Sequence, residues 1–426
     1  MAGKFESLTL GDVVTLQRGT TYKSALLGQP GPVLLGLASI KRNGGFRDDN
    51  LKTYGGESPA KLLLRPGDVF VSLKDVTQSA DLLGAVARVP LKISSGRVTQ
   101  DTVKLTFTRK DIPASYVYWL LRTPGYREYC RAHAIGTTNL SITRDDFLAY
   151  PVARPSAQDM TLVRTLDALD DKIELNRKMN EKLEQMAQAL FKSWFVEFDP
   201  AHARASGRQP VRMDKATAEY FPNSLVDSDL GKIPKGWKVN LLEDLVEQRT
   251  ERIDATSAKD NLRYIALEDM PSRSLDLSSY QPGSAVNSSI IKFKEGDILF
   301  GSMRPYFHKV GLAFFEGITR TTTFVLKPKK QHLRHFALLH IFSDDLISFA
   351  TTSSVGTTMP YVKWESLARY RVITPPDELL SIFDNKIREF IVRIGANGAE
   401  SIKLAAVRDT LLARLAGRST PPNTNG

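Results

Sequence analysis

Apolar residues recur along residues 155–196 in steps that alternate between four and three. The repeating positions, with two asparagines in the middle, are Leu162, Leu166, Leu169, Ile173, Asn176, Asn180, Leu183, Ala187, Leu190 and Trp194. This heptad spacing predicts a helix that packs along its length against another helix, and its polar positions fix the register at some cost in stability. From Leu162 to Trp194 such a helix is roughly 50 Å long at ~1.5 Å per residue, so it needs a long partner.

The same pattern returns near the end of the chain. The second set is Phe383, Ile387, Phe390, Ile394, Asn397, Ser401, Leu404, Arg408, Leu411 and Leu415. Each member lies 221 residues after its counterpart (383 − 162), and only Arg408, opposite Ala187, breaks the chemical match. A constant offset over a whole helix indicates an internal duplication, and two unrelated amphipathic helices are the alternative. If the two helices are antiparallel, their polar centres face one another.

Two further features mark the second helix. Asp377 and Glu378 stand in its first turn, where the helix dipole favours negative charge. Gly395 and Gly398 weaken it by about 1 kcal/mol each relative to alanine. The two glycines predict either a bend or the close approach of a neighbouring element.

The first globular segment, residues 1–155, alternates short β-type runs with turn clusters. It continues with a helix over residues 113–132, which is expected to bend at Pro124 and Gly125. An exposed Gly-Thr-Thr loop follows at residues 136–138.

Residues 237–375 repeat this plan with different contents. The Gly-Asp pair that begins one strand at Gly67 recurs at Gly296, and the Gly-Thr-Thr loop at Gly136 recurs at Gly356. Loops that differ on a repeated frame indicate a chain that performs one type of function at two different targets.

The sequence therefore predicts an α/β (α+β) fold, with two pseudo-symmetric domains separated by an antiparallel pair of long coiled-coil helices. Residues 199–236 are polar and rich in turn formers, which predicts a linker with local order only at residues 216–221. The predicted segments are a first domain at 1–155, a helix at 156–198, the linker at 199–236, a second domain at 237–375, a helix at 376–418 and a disordered tail at 419–426.

Composition is that of an ordinary globular protein. The chain has 426 residues, a length sufficient for two to three domains, and 42% of them are hydrophobic and 25% charged. The N-terminus lacks a signal-peptide core, no apolar run approaches the ~20 residues of a membrane span, and Cys130 is the single cysteine. These features predict a cytoplasmic protein. A net charge of +11 is compatible with binding a polyanion.

Catalytic motifs are missing from the sequence: there is no phosphate-binding loop, dinucleotide fingerprint, HExxH or GxSxG. His332, His335 and His340 cluster without the cysteine or acidic ligands of a zinc site, which favours a surface helix. Pro375-Pro376 lacks the aromatic residue that stacks a flipped base in adenine methyltransferases and suits a helix start. We predict no catalytic residue and no metal ligand, so the chain is not itself an enzyme.

Basic, polar and aromatic residues concentrate instead in loops at matching positions of the two domains. Arginine and lysine can reach guanine edges and glutamine can reach adenine, while hydroxyl groups bind phosphates. The candidate DNA-binding residues are Arg18, Thr20, Lys23, Lys41, Arg42, Lys74, Thr77, Gln78, Thr137 and Thr138 in the first domain, and Arg249, Arg252, Arg273, Arg304, Tyr306, His308, Lys309, Thr357 and Thr358 in the second.

Several motifs resemble the specificity subunits of type I restriction-modification systems. They are LEQMAQALFKSWFVEFDP at residues 183–200, DSDLGKIPKGW at residues 227–237, and the Gly-Thr-Thr loops before YPVARP and YRVITPP. The resemblance covers nearly the whole chain. It implies two target-recognition domains that each read one half of a split, asymmetric DNA site, with the helices setting the spacer between the halves.

The resemblance also implies partners and cofactors outside this chain. Two methyltransferase subunits would carry S-adenosylmethionine, and two restriction subunits would supply ATP- and Mg-dependent translocation and cleavage. We therefore predict a non-catalytic subunit that binds double-stranded DNA sequence-specifically. The alternatives are a duplicated coiled-coil scaffold that binds only proteins, and a single-chain nuclease-methyltransferase, for which the chain leaves no room.

Overall fold

The computed structural model describes residues 8–48, 51–137, 139–253, 262–286 and 289–419. The chain divides into two compact units. Unit 1 contains the residues up to Asp171 and those from Leu404 onward, and unit 2 runs from Lys172 to Lys403. Each of the two long helices therefore contributes residues to both units. Every helix in the described part of the chain is too short or too polar to span a lipid bilayer.

Unit 1 is built on a four-stranded antiparallel sheet and a three-stranded sheet. Its strands are β1 (Leu8–Thr9), β2 (Val14–Arg18), β3 (Val33–Leu35), β4 (Leu63–Leu64), β5 (Val69–Ser72), β6 (Lys74–Asp75), β7 (Val86–Arg88), β8 (Gly96–Val98), β9 (Thr102–Phe107), β10 (Leu140–Ser141) and β11 (Pro151–Val152). Its helices are α1 (Leu10–Val13), α2 (Ala114–Leu120), α3 (Pro124–Ala132), α4 (Arg144–Leu148) and the start of α5 (Ala157–Phe195). The strand orders are β2-β9-β5-β7 and β3-β8-β4, and β1 pairs with β11.

Strand β5 is buried on both faces, because its successive side chains point to opposite sides of the sheet. Val69 and Val71 pack in the core that contains α2, α3 and the long helices, whereas Phe70 packs in a second core with the three-stranded sheet. The apolar run that precedes the candidate DNA-binding loop is thus explained by burial in two cores.

The helix expected over residues 113–132 is two helices, α2 and α3. Pro124 stands at the start of α3, where its missing N–H costs nothing, and the Thr123 side chain accepts a hydrogen bond from the Tyr126 N–H at 3.4 Å. The sequence prediction of one helix with a bend was therefore wrong, since a new cap interrupts the helix before Pro124.

Unit 2 repeats the plan of unit 1. Its strands are β12 (Leu225–Ser228), β13 (Gly231–Pro234), β14 (Lys238–Leu241), β15 (Val246–Gln248), β16 (Arg252–Ile253), β17 (Arg263–Ile265), β18 (Gln281–Pro282), β19 (Ile290–Phe293), β20 (Ile298–Gly301), β21 (Val310–Leu312), β22 (Gly317–Arg320), β23 (Thr323–Pro328) and β24 (Arg371–Thr374). Its helices are α6 (Asp199–Ala205), α7 (Lys215–Glu219), α8 (Leu242–Leu245), α9 (Arg334–Ile341), α10 (Asp344–Thr352), α11 (Trp364–Leu367) and most of α12 (Asp377–Ser419).

The correspondence between the units extends to strand order. The sheet β15-β23-β20-β21 matches β2-β9-β5-β7, and the pair β14-β24 matches β1-β11. The parallel pair β17-β22, within the sheet β16-β19-β22-β17-β18, likewise matches β3-β8. The α/β fold class and the internal duplication are both confirmed.

The segment expected to be a linker, residues 199–236, is folded into unit 2. It contains α6, α7 and the hairpin β12-β13. Phe221 is fully buried, with its ring centroid 5.2 Å from that of Trp194. The prediction differs from the structure because a few well-placed apolar residues in a polar stretch, with no period, are enough to bury it against an aromatic core.

The two long helices run antiparallel within unit 2, and their polar centres are hydrogen-bonded. The Asn397 side chain donates to Asn180 Oδ1 at 2.8 Å. The Asn176 side chain donates to the backbone oxygen of Asn397 at 3.3 Å and to Glu400 at 2.8 Å. All three asparagines are buried, so these bonds satisfy amides that would otherwise be costly to bury.

The repeating positions of the two long helices, which form the predicted helix–helix seam, are buried or half-buried. Those that are buried are Leu166, Asn176, Asn180, Ala187, Trp194, Phe383, Ile387, Ile394, Asn397 and Leu415. Those that are half-buried are Leu162, Leu169, Ile173, Leu183, Leu190, Phe390, Ser401, Leu404, Arg408 and Leu411.

Gly395 and Gly398 serve close approach, since α12 continues through them without a break. A Cβ at Gly398 would lie 1.9 Å from the Ser278 hydroxyl oxygen, and one at Gly395 would lie 2.4 Å from the Phe314 ring. On α5, buried Glu184 accepts hydrogen bonds from the Ser274 hydroxyl and the Leu275 N–H, both at 2.8 Å. Burial raises the pKa of Glu184 to about 7 despite these bonds.

Two of the three clustered histidines lie on a buried helix, not on the predicted surface helix, and His332 is half-buried in the turn before it. In α9, His335 and His340 are buried, and the His335 Nδ1 is 2.7 Å from Asp384 Oδ1. Burial lowers the pKa of His340 to about 3. The prediction considered only the missing metal ligands, whereas the apolar residues between His335 and His340 pack in the core of unit 2. The described residues contain no group of three potential metal ligands.

Candidate nucleic-acid interface

In unit 1, two loops of the candidate interface are joined by a short β-ladder. Strand β5 leads into β6, which pairs with β10 so that Lys74 lies opposite Ser141. Residues 76–79 therefore lie beside the loop that contains Thr137. The buried carboxylate of Asp75 holds the first loop, accepting from the Leu82 N–H at 2.7 Å and from both the N–H and the hydroxyl of Thr77 at 2.8 Å.

Unit 2 builds the same junction from different side chains. Met303 bridges Tyr361 in the antiparallel sense, and the Arg304 N–H donates to the Pro360 oxygen at 2.7 Å. Met303 follows Lys74 by 229 residues (303 − 74), and Tyr361 follows Ser141 by 220 (361 − 141). The two offsets are those of the Gly-Asp strands and the Gly-Thr-Thr loops. The junction between the loop that follows the Gly-Asp strand and the Gly-Thr-Thr loop, called the composite loop below, is therefore a duplicated feature.

Several unit 1 candidates are exposed and carry charge. Lys23, Lys41 and Arg42 are exposed, and Lys74 Nζ lies 3.5 Å from the Asp101 carboxylate. The exposed Arg18 side chain donates through Nε to the Gln100 oxygen at 3.1 Å. These positions leave a positively charged surface that can contact phosphates.

A cavity of ≈ 360 Å³ brings part of this set together. Its lining includes Arg18, Lys74 and Ser141. Arg144, at the start of α4, also lines it and is exposed. The sequence reasoning missed Arg144, although its place just after the Gly-Thr-Thr loop was a usable signal.

Two hydroxyl candidates of unit 1 have partners within the unit. Gln78 and Thr137 are exposed, but the Thr77 hydroxyl is held by Asp75. The Thr20 hydroxyl accepts a hydrogen bond from Arg97 Nη2 at 2.8 Å. Arg97 was missed because it lies inside a strand, and its role is to position the loop around Thr20. Thr138 lies outside the described residues.

Three unit 2 candidates have partners inside the unit. Arg249 Nε lies 2.6 Å from the buried carboxylate of Asp297. Lys309 Nζ donates to the Leu267 oxygen at 2.6 Å. His308 is only 2% exposed, and its Nε2 lies 2.8 Å from the Phe342 oxygen. Each side chain is turned into the unit by a partner distant in sequence, which loop composition could not reveal.

The pKa values of two of these groups agree with their burial. Burial lowers the pKa of His308, and the nearby Arg273 guanidinium lowers it further. Burial likewise lowers the pKa of Lys309. Both groups act in positioning the loop from beneath.

The remaining unit 2 candidates stay at the surface. Arg252, Tyr306, Thr357 and Thr358 are exposed and Arg304 is half-buried. Arg304 Nη2 lies 3.5 Å from the Thr358 oxygen, at the edge of the loop junction. Exposed Arg273 forms an ion pair with Asp344 at 2.9 Å. Sequence reasoning missed the exposed apolar residues that border this site, which are Phe307, Val355, Met359 and Tyr361.

The fold is therefore that of a duplicated α/β protein in which each unit carries the same loop junction with different side chains. Residues 234–401 match the family model described as type I restriction modification DNA specificity domain. Within unit 2, this match makes the chain similar to the specificity subunits of type I restriction-modification systems.

The chain is also similar to curated specificity subunits over much of its length. The chain is 24% identical over 346 residues to the type I restriction enzyme MjaIX specificity subunit of Methanocaldococcus jannaschii, covering 78% of this chain and 73% of that protein. It is 25% identical over 348 residues to the HindI specificity subunit of Haemophilus influenzae, covering 70% of this chain and 76% of that protein.

A solved structure shares the fold. The S subunit of a type I restriction-modification system from M. genitalium aligns with a TM-score of 0.56 at 14% identity, over 98% of this chain and 96% of that one. The similarity covers both units and supports the α/β fold class.

Proposed function

We propose that this chain is the non-catalytic DNA-recognition subunit of a type I restriction-modification complex. Each unit reads one half of a bipartite, asymmetric double-stranded site, and the long helices set the spacer. The observation that carries this proposal is the composite loop, which is built twice at the same offsets but with different side chains. A conserved frame with different loop chemistry suits two different half-sites.

Readout of bases is assigned to side chains that remain exposed on the composite loops. In unit 1 these are the exposed Lys74 and Gln78, and in unit 2 we assign this role to the half-buried Arg304 beside the same junction. Arginine and lysine match guanine, and glutamine matches adenine. The exposed cations around them contact phosphates, which makes affinity fall as salt concentration rises.

The proposal assigns catalysis to other chains of a cytoplasmic complex. Two methyltransferase subunits bind S-adenosylmethionine, and two restriction subunits use ATP and Mg²⁺. An apolar stripe on α5 in unit 2 supports docking of a partner: Leu175, Met179 and Met186 are 55%, 43% and 52% exposed. Their spacing of four and seven residues places them on one helix face.

Charge in this stripe is expected to prevent assembly. The double substitution Met179→Glu and Met186→Glu should weaken binding of the methyltransferase subunits at least about 100-fold, because an unpaired charge buried in an apolar interface costs several kcal/mol. Co-purification of the full chain with those subunits measures the effect. Val211→Glu, at an 88% exposed loop position, is the control. Undiminished co-purification of the double variant would exclude the stripe as the docking site.

Loss of Arg304 is expected to relax recognition of one half-site alone. A good arginine–guanine contact contributes about 1–3 kcal/mol of discrimination, so Arg304→Ala should reduce selectivity roughly tenfold at that half. The measurement is the pattern of methylated sites made by the reconstituted methyltransferase complex.

The matched control is Arg371→Ala, because Arg371 lies on β24 and pairs with Asp229 at the surface. Equal loss at both half-sites, or none, would contradict the role of Arg304. A wild-type complex without any sequence-specific DNA binding would overturn the proposed function and favour a protein-binding scaffold.

A further inference from the structure

The loop of unit 2 presents two aromatic rings to solvent. Tyr306 and Phe307 occupy a single 3-10 turn, Pro305–Phe307, and are 49% and 45% exposed. Their ring centroids are 4.8 Å apart in an edge-to-face arrangement. The neighbouring residues Val355, Met359 and Tyr361 of the paired loop are 43%, 56% and 43% exposed. Apolar side chains exposed together on two neighbouring loop segments favour a ligand with an apolar face.

The turn that carries the rings is held in a strained conformation. Arg304 and His308, on either side of it, have φ values of 48° and 52°, in the left-handed region that residues other than glycine rarely adopt. Backbone strain of this kind persists where the surrounding structure enforces it, commonly at binding sites.

Buried His308 enforces the conformation from below. Its Nε2 lies 2.8 Å from the Phe342 oxygen, and its ring centroid is 4.6 Å from that of Phe342. The His308 oxygen accepts from the Arg273 N–H at 2.9 Å. The rings are thus fixed before any ligand arrives, which lowers the ordering cost of binding.

Unit 1 differs at the equivalent positions. With the strand offset of 229, Tyr306 corresponds to Thr77 (306 − 229) and Phe307 to Gln78 (307 − 229). Unit 1 therefore offers a hydroxyl and an amide where unit 2 offers two aromatic rings. The two half-sites would be read by different chemistry on one frame.

We infer that Tyr306 and Phe307 form an aromatic wedge that inserts at a base step of the half-site read by unit 2. This inference rests on the proposed function and specifies how one half-site is recognised. Apolar side chains that enter a duplex unstack one step and kink the DNA, and steps that unstack at low cost, such as pyrimidine–purine steps, are favoured. Arg304, adjacent to the turn, reads a base of the same half-site, and the exposed cations around it attract the phosphates.

The test compares matched duplexes with duplexes that carry one mismatch at each position of the half-site. A mismatch removes part of the unstacking cost, so the wild-type complex should bind about tenfold more tightly when the mismatch is at the insertion step. Tyr306→Leu with Phe307→Leu should weaken binding to the matched duplex between about 5-fold and about 100-fold and abolish the gain at that step.

Two further variants sharpen the comparison. Tyr306→Thr with Phe307→Gln installs the unit 1 pair and should show the same losses. Tyr220→Leu removes an equally exposed ring, 49%, at the end of α7 and should behave as wild type. All variants are measured in the full chain assembled with its methyltransferase subunits.

The outcomes separate the inference from the function on which it rests. Wild-type affinity for the matched duplex in the double variants, or retention of the mismatch gain, overturns the wedge while the proposed function stands. Failure of the double variants alone to assemble with the methyltransferase subunits overturns it too, because the rings would then contact protein. Absence of sequence-specific binding by the wild-type complex overturns the proposed function itself.

Discussion

Replacing Phe383 by alanine is expected to destabilise unit 2 by about 3–5 kcal/mol, the usual range for removing a buried phenylalanine ring. Phe383, on α12, is fully buried. Its ring centroid lies 4.7 Å from that of Phe195 and 5.8 Å from that of Trp194, both on α5. The substitution removes the buried area, the edge-to-face contact with Phe195 and the tilted contact with Trp194, which join the two helices in unit 2.

Hydrogen exchange resolved by peptide can measure this loss within each unit. Exchange should accelerate in unit 2 peptides of α5, α9 and α12, while unit 1 peptides from the sheet β2-β9-β5-β7 keep wild-type rates. Phe390→Ala is the control, because Phe390 lies on the same helix but is only half-buried. Comparable acceleration by both substitutions would argue against Phe383 as the centre of this core.

Removing the carboxylate of Asp170 is expected to destabilise unit 1 by about 3 kcal/mol, near the lower end for breaking a buried ion pair. Asp170, on α5, accepts from Arg122 and from Arg408, each at 2.9 Å. Asp170→Ala leaves two cations without this partner, and the Arg122 side chain is only 8% exposed. The lower value applies because Arg408 is nearer the surface and Arg122 also stacks on Trp119 at 4.5 Å.

The effect of Asp170→Ala should depend on pH in a defined direction. Burial by itself raises the pKa of Asp170, but the two arginines outweigh it and the pKa lies below its ordinary value. A depressed folded-state pKa stabilises the protein above the unfolded pKa of about 4, and the benefit is lost as pH falls through the folded value. The difference between wild type and variant should therefore be constant near neutral pH and disappear in acid.

Hydrogen exchange of unit 1 peptides at pH 7 measures the stability difference, and thermal unfolding between pH 3 and pH 7 measures its pH dependence. Lys192→Ala is the control, since it removes an exposed ion pair with Glu197 from the same helix and should leave both units unchanged. A variant as stable as wild type at pH 7 would show that Asp170 contributes no net stabilisation.

The position that broke the repeat, Arg408, shows how far the sequence pattern could be taken. The 221-residue offset placed it opposite Ala187, which is buried beside an aromatic core in unit 2. In unit 1 the same place holds a guanidinium because Asp170 is available across the helix pair. Periodicity located the seam, but the chemistry at each position depends on the neighbours in its own unit.

The candidate interface likewise contains residues whose position the sequence predicted and residues whose position depends on packing. Loop composition and the two offsets placed Arg304, Tyr306, Lys74 and Gln78 at equivalent surface junctions, and these remain exposed or half-buried. His308, in the same loop, is turned inward by the Phe342 oxygen, which lies 34 residues further along the chain. No feature of the local sequence distinguishes the side chains that stay at the surface from the His308 side chain, which is buried.

The duplication, the antiparallel pairing of the long helices and the α/β class could be predicted from the chain alone, because they follow from the spacing of apolar residues and its repetition. The folding of residues 199–236, the burial of α9 and the inward direction of Arg249, His308 and Lys309 became visible only in the three-dimensional fold. Burial depends on which distant segments pack around a residue, and that information is not local.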